Sequence, residues 1–247
     1  LTADDCGLVL GAIAGYDPND LSTSKKKYRY DAKNDPDRRF KIGVIRDIAN
    51  GCQAEVQSNF KESLRVLEKV ATIDEVDLPE IPYEAVVRKI LFAESASALE
   101  EFIESGKTAE LTAVEDRYGG YAPSVVLATD YLKALRIRGV IAKTIDHLLS
   151  GYDALVAPSR PSVAPPAEGE FRSFVRTGAK DPMGAIGNVA GLPAISVPNG
   201  FGEGGLPTGV QFMGRVYEEN TVLAIARTYQ SLTEWHQQHP AGLVPST

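Results

Sequence analysis

Histidine and cysteine are scarce in this sequence, with three histidines and two cysteines among 247 residues. Neither cysteine belongs to a CxxC pair, so Cys6 and Cys52 are expected to be reduced and structural. No apolar run approaches the roughly 20 residues that a membrane helix requires. The first residues carry no basic cluster and no long apolar stretch, so no signal peptide is predicted. Together these absences predict a cytoplasmic protein, and the missing initiator Met predicts that the chain was processed or begins inside something longer.

An excess of positive charge is also missing. The formal net charge is -7, which argues against sequence-independent binding of nucleic acid. The one basic cluster, at residues 25–29, is followed by Asp31, Asp35 and Asp37, and this mixture is typical of a solvated loop. We therefore expect neither a membrane nor a nucleic acid as a direct partner.

Motifs that would carry chemistry or a cofactor are not found. The sequence has no GxSxG, no P-loop and no GxGxxG, and the glycines at 200–205 lie between predicted strands, where they indicate a turn. His147 falls on a predicted helix and is typical of a solvated or core-edge histidine. His236 and His239 have a spacing that suits a metal, but no second group of ligands accompanies them. No metal site and no cofactor are predicted.

The order of predicted elements is that of an α/β domain. Thr2 and Asp5 form the capping box of a first helix that is predicted to stop at Gly15, and residues 17–39 read as a surface loop. A helix with an apolar stripe from Val56 to Val70 joins two short strands, which predicts a βαβ unit with parallel pairing and a right-handed crossover. No linker divides the chain. Strands are predicted at 41–46, 72–77, 153–157, 194–198 and 208–213, and further helices at 83–104, 125–149 and 222–232.

Three stretches of the chain resemble the amidase-signature family. The first is TADDCGLVL at 2–10 with AIAGYDPND at 12–20, and the second is the segment from Tyr131 to Arg138 with YDALVAPSRP at 152–161. The most specific is GNVAGLPAISVP at 187–198 with GLPTGVQFMGR at 205–215. The resemblance implies a mixed, twisted sheet flanked by helices, and it identifies residues 1–247 as the carboxy-terminal half of one amidase domain.

The resemblance also implies which residues break the amide bond, and they are not in this sequence. Members of the family use a serine nucleophile, a second serine joined through a cis peptide, and a lysine, all from a region that precedes the helix beginning here. Ser22, Ser24, Ser159 and Ser196 do not match that region. No catalytic residue is therefore assigned. The chain alone is expected to be inactive, and its expected partners are the amino-terminal half and a small amide substrate.

The resemblance implies that this half contributes the wall of the acyl pocket. In the tRNA amidotransferase branch, an arginine and an aspartate hold the charged groups of glutamine, and the aspartate position corresponds to Asp181. The alternative role of Asp181 is an N-terminal helix cap before Pro182. Arg117 is the nearest candidate for the arginine, although its neighbours depart from that branch, and the alternative is a surface cation. Asn188 either caps backbone groups near the pocket or holds a turn.

Three functions fit these observations. The first is a hydrolase of small amides, and the likeness of residues 205–215 and 233–236 to stand-alone bacterial amidases favours it. The second is the glutaminase component of a tRNA-dependent amidotransferase. The third is a non-catalytic binding module, and the absence of the nucleophile region from this sequence is compatible with it.

Overall fold

The computed structural model describes residues 1–20, 22–33, 38–117, 125–168 and 181–238. This part of the chain contains seven α-helices and five strands, as the α/β prediction required. The helices are α1 (Ala3–Ile13), α2 (Ala54–Leu67), α3 (Tyr83–Ala98), α4 (Glu100–Glu104), α5 (Ala128–Leu149), α6 (Pro182–Ala190) and α7 (Glu219–Thr233). The strands are β1 (Phe40–Ile45), β2 (Ala71–Val76), β3 (Ala154–Pro158), β4 (Ala194–Phe201) and β5 (Pro207–Met213).

The five strands form one mixed sheet in the order β2-β1-β3-β5-β4. β1 is parallel to both β2 and β3, with Ile42 opposite Ile73 and Ala154. β5 is antiparallel to β3 and to β4. The parallel pairing of β1 and β2 around α2 confirms the predicted βαβ unit, and the mixed sheet confirms the predicted fold class.

Helices cover both faces of this sheet. One hydrophobic core contains Phe60 of α2 and Tyr229 of α7 together with Phe212 of β5. The other contains Ile141 of α5 and Ile186 of α6. All five residues of β3 are buried, because this strand lies at the centre of the sheet between the two cores. Its unbroken apolar sequence is what a strand covered on both faces requires.

Three helix boundaries differ from the prediction. α1 ends at Ile13, before Gly15, because Ala14 is already extended. The helix predicted over 83–104 is broken at Leu99, whose φ of -112° and ψ of 17° are not helical. α5 begins at Ala128 and not at 125, since Leu127 is extended with ψ of 139°. In each case the backbone conformation changes at a residue whose type is compatible with a helix, so composition did not reveal it.

α1 attaches to α7 through its first turn. The predicted capping box is present: the Thr2 hydroxyl accepts from the Asp5 amide at 3.1 Å, and the Thr2 amide donates to the Asp5 carboxylate at 2.7 Å. Asp4 accepts from the Tyr30 hydroxyl and from the Arg227 guanidinium. Burial raises the pKa of Asp4, but these hydrogen bonds and the positive charge of Arg227 outweigh it and lower that pKa below its usual value.

A buried hydrogen-bond network fastens the edge strand β4 to the helices behind it. The side-chain amide of Asn199 donates to the Ser63 hydroxyl at 3.0 Å, and Ser63 and Tyr229 share a hydrogen bond of 2.9 Å. The Thr208 hydroxyl donates to the side-chain carbonyl oxygen of Asn199 at 2.8 Å and accepts from the side-chain amide of Asn59 at 2.9 Å. Each polar group of this network has a partner, which is the condition under which burial of such groups is tolerated.

Candidate substrate-binding site

The carboxyl ends of the parallel strands β1 and β3 meet at one edge of the sheet, which is where ligands bind in open α/β sheets. The segments that leave these ends, together with the start of α6, enclose a small cavity of about 20 Å³. Its lining includes Cys52 after β1, Ser159 and Arg160 after β3, and Asp181 before α6. The sheet topology thus brings together residues that are more than 100 positions apart in the sequence.

Asp181 caps helix α6, as one of its two predicted roles required. Its carboxylate accepts from the Gly184 amide at 2.9 Å, and Pro182 occupies the first turn. A carboxylate at this position also interacts favourably with the positive end of the helix dipole. Asp181 borders the cavity as well, so the cap does not remove it from the site. Contact between Asp181 and a substrate stays a prediction.

Cys52 is a buried thiol on the wall of this cavity. Burial raises its pKa, and the nearby carboxylate of Asp181 raises it further. The thiol therefore stays protonated at neutral pH. Since the thiolate is the nucleophilic form of cysteine, Cys52 is poorly suited to attack an amide.

Ser159 and Arg160 connect this cavity to a larger groove. The groove has a volume of about 380 Å³ and lies between the chain that leaves β3 and the strands β4 and β5. The Ser159 amide donates to the carbonyl oxygen of Gly209 at 2.8 Å, which places its side chain against β5. The Ser159 hydroxyl is buried and has no hydrogen-bond partner in the described part of the chain.

Arg117 borders neither of these two cavities. It lies at the end of a short 3-10 turn, Val114–Asp116, half-buried, and its Nε donates to the carbonyl oxygen of Leu111 at 2.9 Å. The described contacts do not join it to Asp181. The predicted pair of Arg117 and Asp181 is therefore not assembled by the contacts of the described residues.

Asn188 lies two helical turns after Asp181 on α6, roughly 10 Å along the helix axis at about 1.5 Å per residue. Its side-chain amide donates to the carbonyl oxygen of Gly184 at 2.7 Å. It lines a different cavity, of about 320 Å³, together with Glu94 and Arg138. Asn188 therefore bonds to a backbone group of its own helix, and its place near a substrate pocket stays a prediction.

Metal ligands are not grouped in the part of the chain that the structure describes. Among those residues, no three His, Cys, Asp or Glu side chains lie together as a metal site would need. His239 lies outside the described residues, so its predicted spacing with His236 stays a prediction. Within the same ranges, no helix combines the length and the apolar character needed to cross a bilayer.

Three residues of this site were not predicted from the sequence: Cys52, Ser159 and Arg160. Ser159 was considered only as a nucleophile, and the other two were not expected at a site. The sequence does contain a signal for two of them: Ser159 and Arg160 directly follow a buried central strand, in a proline-rich segment. Residues at the carboxyl ends of such strands are the first candidates for ligand contact.

A mixed sheet flanked by helices, with a polar cluster at the carboxyl ends of its parallel strands, places the chain in the α/β class. The Amidase family model matches residues 1–223, and the chain belongs to this family. It is 32% identical to a Glutamyl-tRNA(Gln) amidotransferase subunit from Neisseria meningitidis serogroup A, over 97% of this chain and 55% of that protein. The equally named protein of Thermosynechococcus vestitus is 31% identical over the same shares of the two chains.

Solved structures agree with this family. The equally named Glutamyl-tRNA(Gln) amidotransferase subunit of Thermotoga maritima superposes with a TM-score of 0.68 at 27% identity, over 95% of this chain and 52% of that one. A native peptide amidase from Stenotrophomonas maltophilia superposes with a TM-score of 0.74 at 22% identity, over 94% and 52%, and shows the shared fold alone. The chain spans about half the length of the relatives that it matches.

Proposed function

We propose that this chain is the carboxy-terminal half of an amidase that hydrolyses the carbon–nitrogen bond of a small amide. The catalytic serine, cis-linked serine and lysine would come from the other half, as the family resemblance implies. One observation carries the proposal: the family model matches residues 1–223, while the matched relatives are almost twice as long. In the described residues, the one thiol at the cavity has a raised pKa, which fits a non-catalytic role for this half.

The surface of the chain supports a partner that covers it. Leu8, Val9 and Ile13 of α1 are 60%, 59% and 75% exposed, although an apolar helix of this kind is normally buried against another element. β2 and β4 are the outer strands of the described sheet, and an uncovered outer strand offers unpaired backbone groups to another chain. We propose that the amino-terminal half covers α1 and continues the sheet through an interface above roughly 2,000 Å².

Asp181 is proposed to line the substrate pocket of the assembled enzyme. Support comes from its place at the cavity beside the end of β3 and from its second carboxylate oxygen, for which no hydrogen bond within the described residues is found. Arg117 and Asn188 are proposed as further contacts to substrate. Among the described residues, each of these two side chains donates to a backbone carbonyl oxygen, and each has further N–H donors that could bind a ligand.

A second function is favoured by the names of the relatives. The matches with 31% and 32% identity are named as components of Glutamyl-tRNA(Gln) amidotransferase, so glutamine is the alternative substrate, and the alternative partners are the other components of such an enzyme. A non-catalytic binding module remains the third alternative, and it would be favoured if no amino-terminal half accompanies the chain.

The experiment is an intact-mass measurement of the isolated protein, followed by assays of ammonia release. We expect a second chain of similar size or a longer precursor, and amide hydrolysis only in fractions that contain it. Simple aliphatic amides and glutamine are compared in parallel. Preference for glutamine would select the amidotransferase function, whereas fractions with both halves and no hydrolysis of any amide would contradict the proposal.

A further inference from the structure

A groove of about 690 Å³ lies between the first half of α3 and the start of α6, and we call it the α3–α6 groove. Volumes of roughly 300–1,000 Å³ are typical of small-molecule sites. Pro182, in the first turn of α6, lines this groove, and the residues on either side of it, Asp181 and Met183, line the small cavity at the sheet edge. The α3–α6 groove and the candidate site therefore meet at the first turn of α6.

Most of the described wall of the α3–α6 groove is apolar. Phe92 is 37% exposed, so its ring presents apolar surface to a ligand. Exposed apolar surface that lines a concavity is typical of a binding site. The rings of phenylalanine and proline are also rigid and suit contact with another ring. The apolar residues of the wall, apart from the Tyr83 ring, are Ile81, Pro82, Ala85, Phe92 and Pro182.

The buried polar group of this wall is already satisfied. Tyr83 is 8% exposed, and its hydroxyl donates to the carbonyl oxygen of Pro79 at 2.9 Å. Burial raises the pKa of Tyr83, which keeps the phenol neutral at physiological pH. Tyr83 therefore presents its ring to the groove, and its hydroxyl needs no hydrogen bond from a ligand.

The charged side chains of the groove do not favour an ionic ligand. The Lys89 ammonium pairs with the Asp130 carboxylate at 3.5 Å. The other two charges, Glu84 and Arg88, have opposite signs and lie one helical turn apart on α3. Glu84, Arg88 and Lys89 are all exposed to solvent. The described wall thus combines an apolar surface with a balanced set of charges at its solvent-exposed positions.

From this arrangement we propose that the α3–α6 groove binds an aromatic or other bulky apolar group of the substrate. The inference rests on the proposed amidase function and specifies its substrate class, which is an amide whose acyl part carries such a group. The reacting carbonyl would lie toward the cavity beside Asp181, and the apolar group would lie against Phe92 and Pro182. Removal of apolar surface from water would supply the binding energy, with no new ion pair.

Coverage of the groove by the amino-terminal half is the competing explanation of its apolar wall. In that case Phe92→Ala would weaken the association of the two halves and would slow the hydrolysis of every amide to the same extent. If the groove binds part of the substrate, Phe92→Ala would slow only those amides that are large enough to reach it. The relative rates of a large and a small amide therefore distinguish the two explanations.

The test compares phenylacetamide with acetamide, which lacks the ring, as substrates of the complete enzyme. We expect the ratio of kcat/KM for phenylacetamide to kcat/KM for acetamide to fall about tenfold in Phe92→Ala, which loses contacts with the ring. Ala85→Phe should lower the ratio at least as much, because the new ring occupies the groove. Ala85 is exposed, so the larger side chain does not enter the core.

Leu91→Ala is the matched control for these two variants. Leu91 precedes Phe92 on α3, is 55% exposed and lines a different cavity, the one that contains Asn188. Its truncation removes a comparable exposed apolar side chain from the same helix without changing the α3–α6 groove. The ratio of the two substrates should therefore stay at the wild-type value.

Binding of benzyl alcohol provides a readout that needs no turnover. Calorimetric titration of the complete enzyme should give a dissociation constant that rises at least several-fold in Phe92→Ala and Ala85→Phe and is unchanged in Leu91→Ala. Such binding without hydrolysis of either amide would contradict the amidase function and support the α3–α6 groove as a site. An unchanged substrate ratio in both groove variants, an equal fall of the ratio in Leu91→Ala, or no binding of benzyl alcohol would overturn the inference.

Discussion

The two roles of Asp181 can be separated by a pair of substitutions. Asp181→Ala removes both the helix cap and the charge, whereas Asp181→Asn keeps a side-chain oxygen that caps a helix about as well. The 2.9 Å bond to Gly184 is solvent-accessible, so we expect Ala to lower the free energy of unfolding by about 1 kcal/mol and Asn to change it by less than about 0.5 kcal/mol. If the carboxylate contacts substrate, both variants should lose about tenfold or more in kcat/KM.

The assay is urea denaturation and steady-state kinetics of the complete enzyme on the same preparations. The Asn variant decides the question, because its stability is expected to match that of the wild type while its kinetics do not. Wild-type kcat/KM in Asp181→Asn, together with a loss of stability in Asp181→Ala alone, would show that Asp181 is only a cap. The pocket role would then be refuted.

Three further predictions concern stability. Ser63→Ala should cost about 2 kcal/mol and Tyr229→Phe about 1 kcal/mol in urea denaturation of the complete enzyme, because the serine serves several partners and the tyrosine one; equal costs would contradict the network. Asp4→Asn should cost at most about 1 kcal/mol at pH 7, since the pair with Arg227 is partly exposed. Because the folded pKa of Asp4 is lowered, its contribution is present above the unfolded value of about 3.9 and is lost as the pH falls through the folded pKa; a difference between wild type and Asp4→Asn that does not shrink as the pH falls below about 3.9 would contradict this. The chain expressed alone should aggregate or melt without a sharp transition, since α1 exposes apolar side chains; a soluble monomer with a cooperative melt in size-exclusion and thermal experiments would contradict it.

Local patterns predicted most of the fold. The reciprocal bonds of Thr2 and Asp5 follow from residue types three positions apart, and the buried strand β3 follows from an unbroken apolar run between a helix end and prolines. The start of α5 was not predictable in the same way. Val125 and Leu127 are compatible with a helix in composition, yet the backbone of Leu127 is extended.

The sequence predicted less of the candidate site than of the fold. Asp181 could be proposed, because an Asp-Pro pair before a helix marks a cap and the family likeness adds a second role. The convergence of Cys52 and Ser159 with Asp181 depends on β1 and β3 being neighbours in the sheet, with more than 100 residues between them in the chain. No local sequence pattern indicates that residues so far apart in the chain are neighbours in the fold. The unpartnered state of the Ser159 hydroxyl within the described residues is likewise a property of packing, visible only in three dimensions.

We propose that this chain supplies a substrate-binding half and not the nucleophile. The most direct measurement treats the complete enzyme with a fluorophosphonate probe that labels reactive serines, and then locates the label by peptide mass spectrometry. We expect every labelled serine to lie in the other half, and we expect the purified chain alone, at equal concentration, to be neither labelled nor able to release ammonia from simple amides. A label on Ser159, Ser196 or any other serine of this chain, accompanied by amide turnover, would contradict the account.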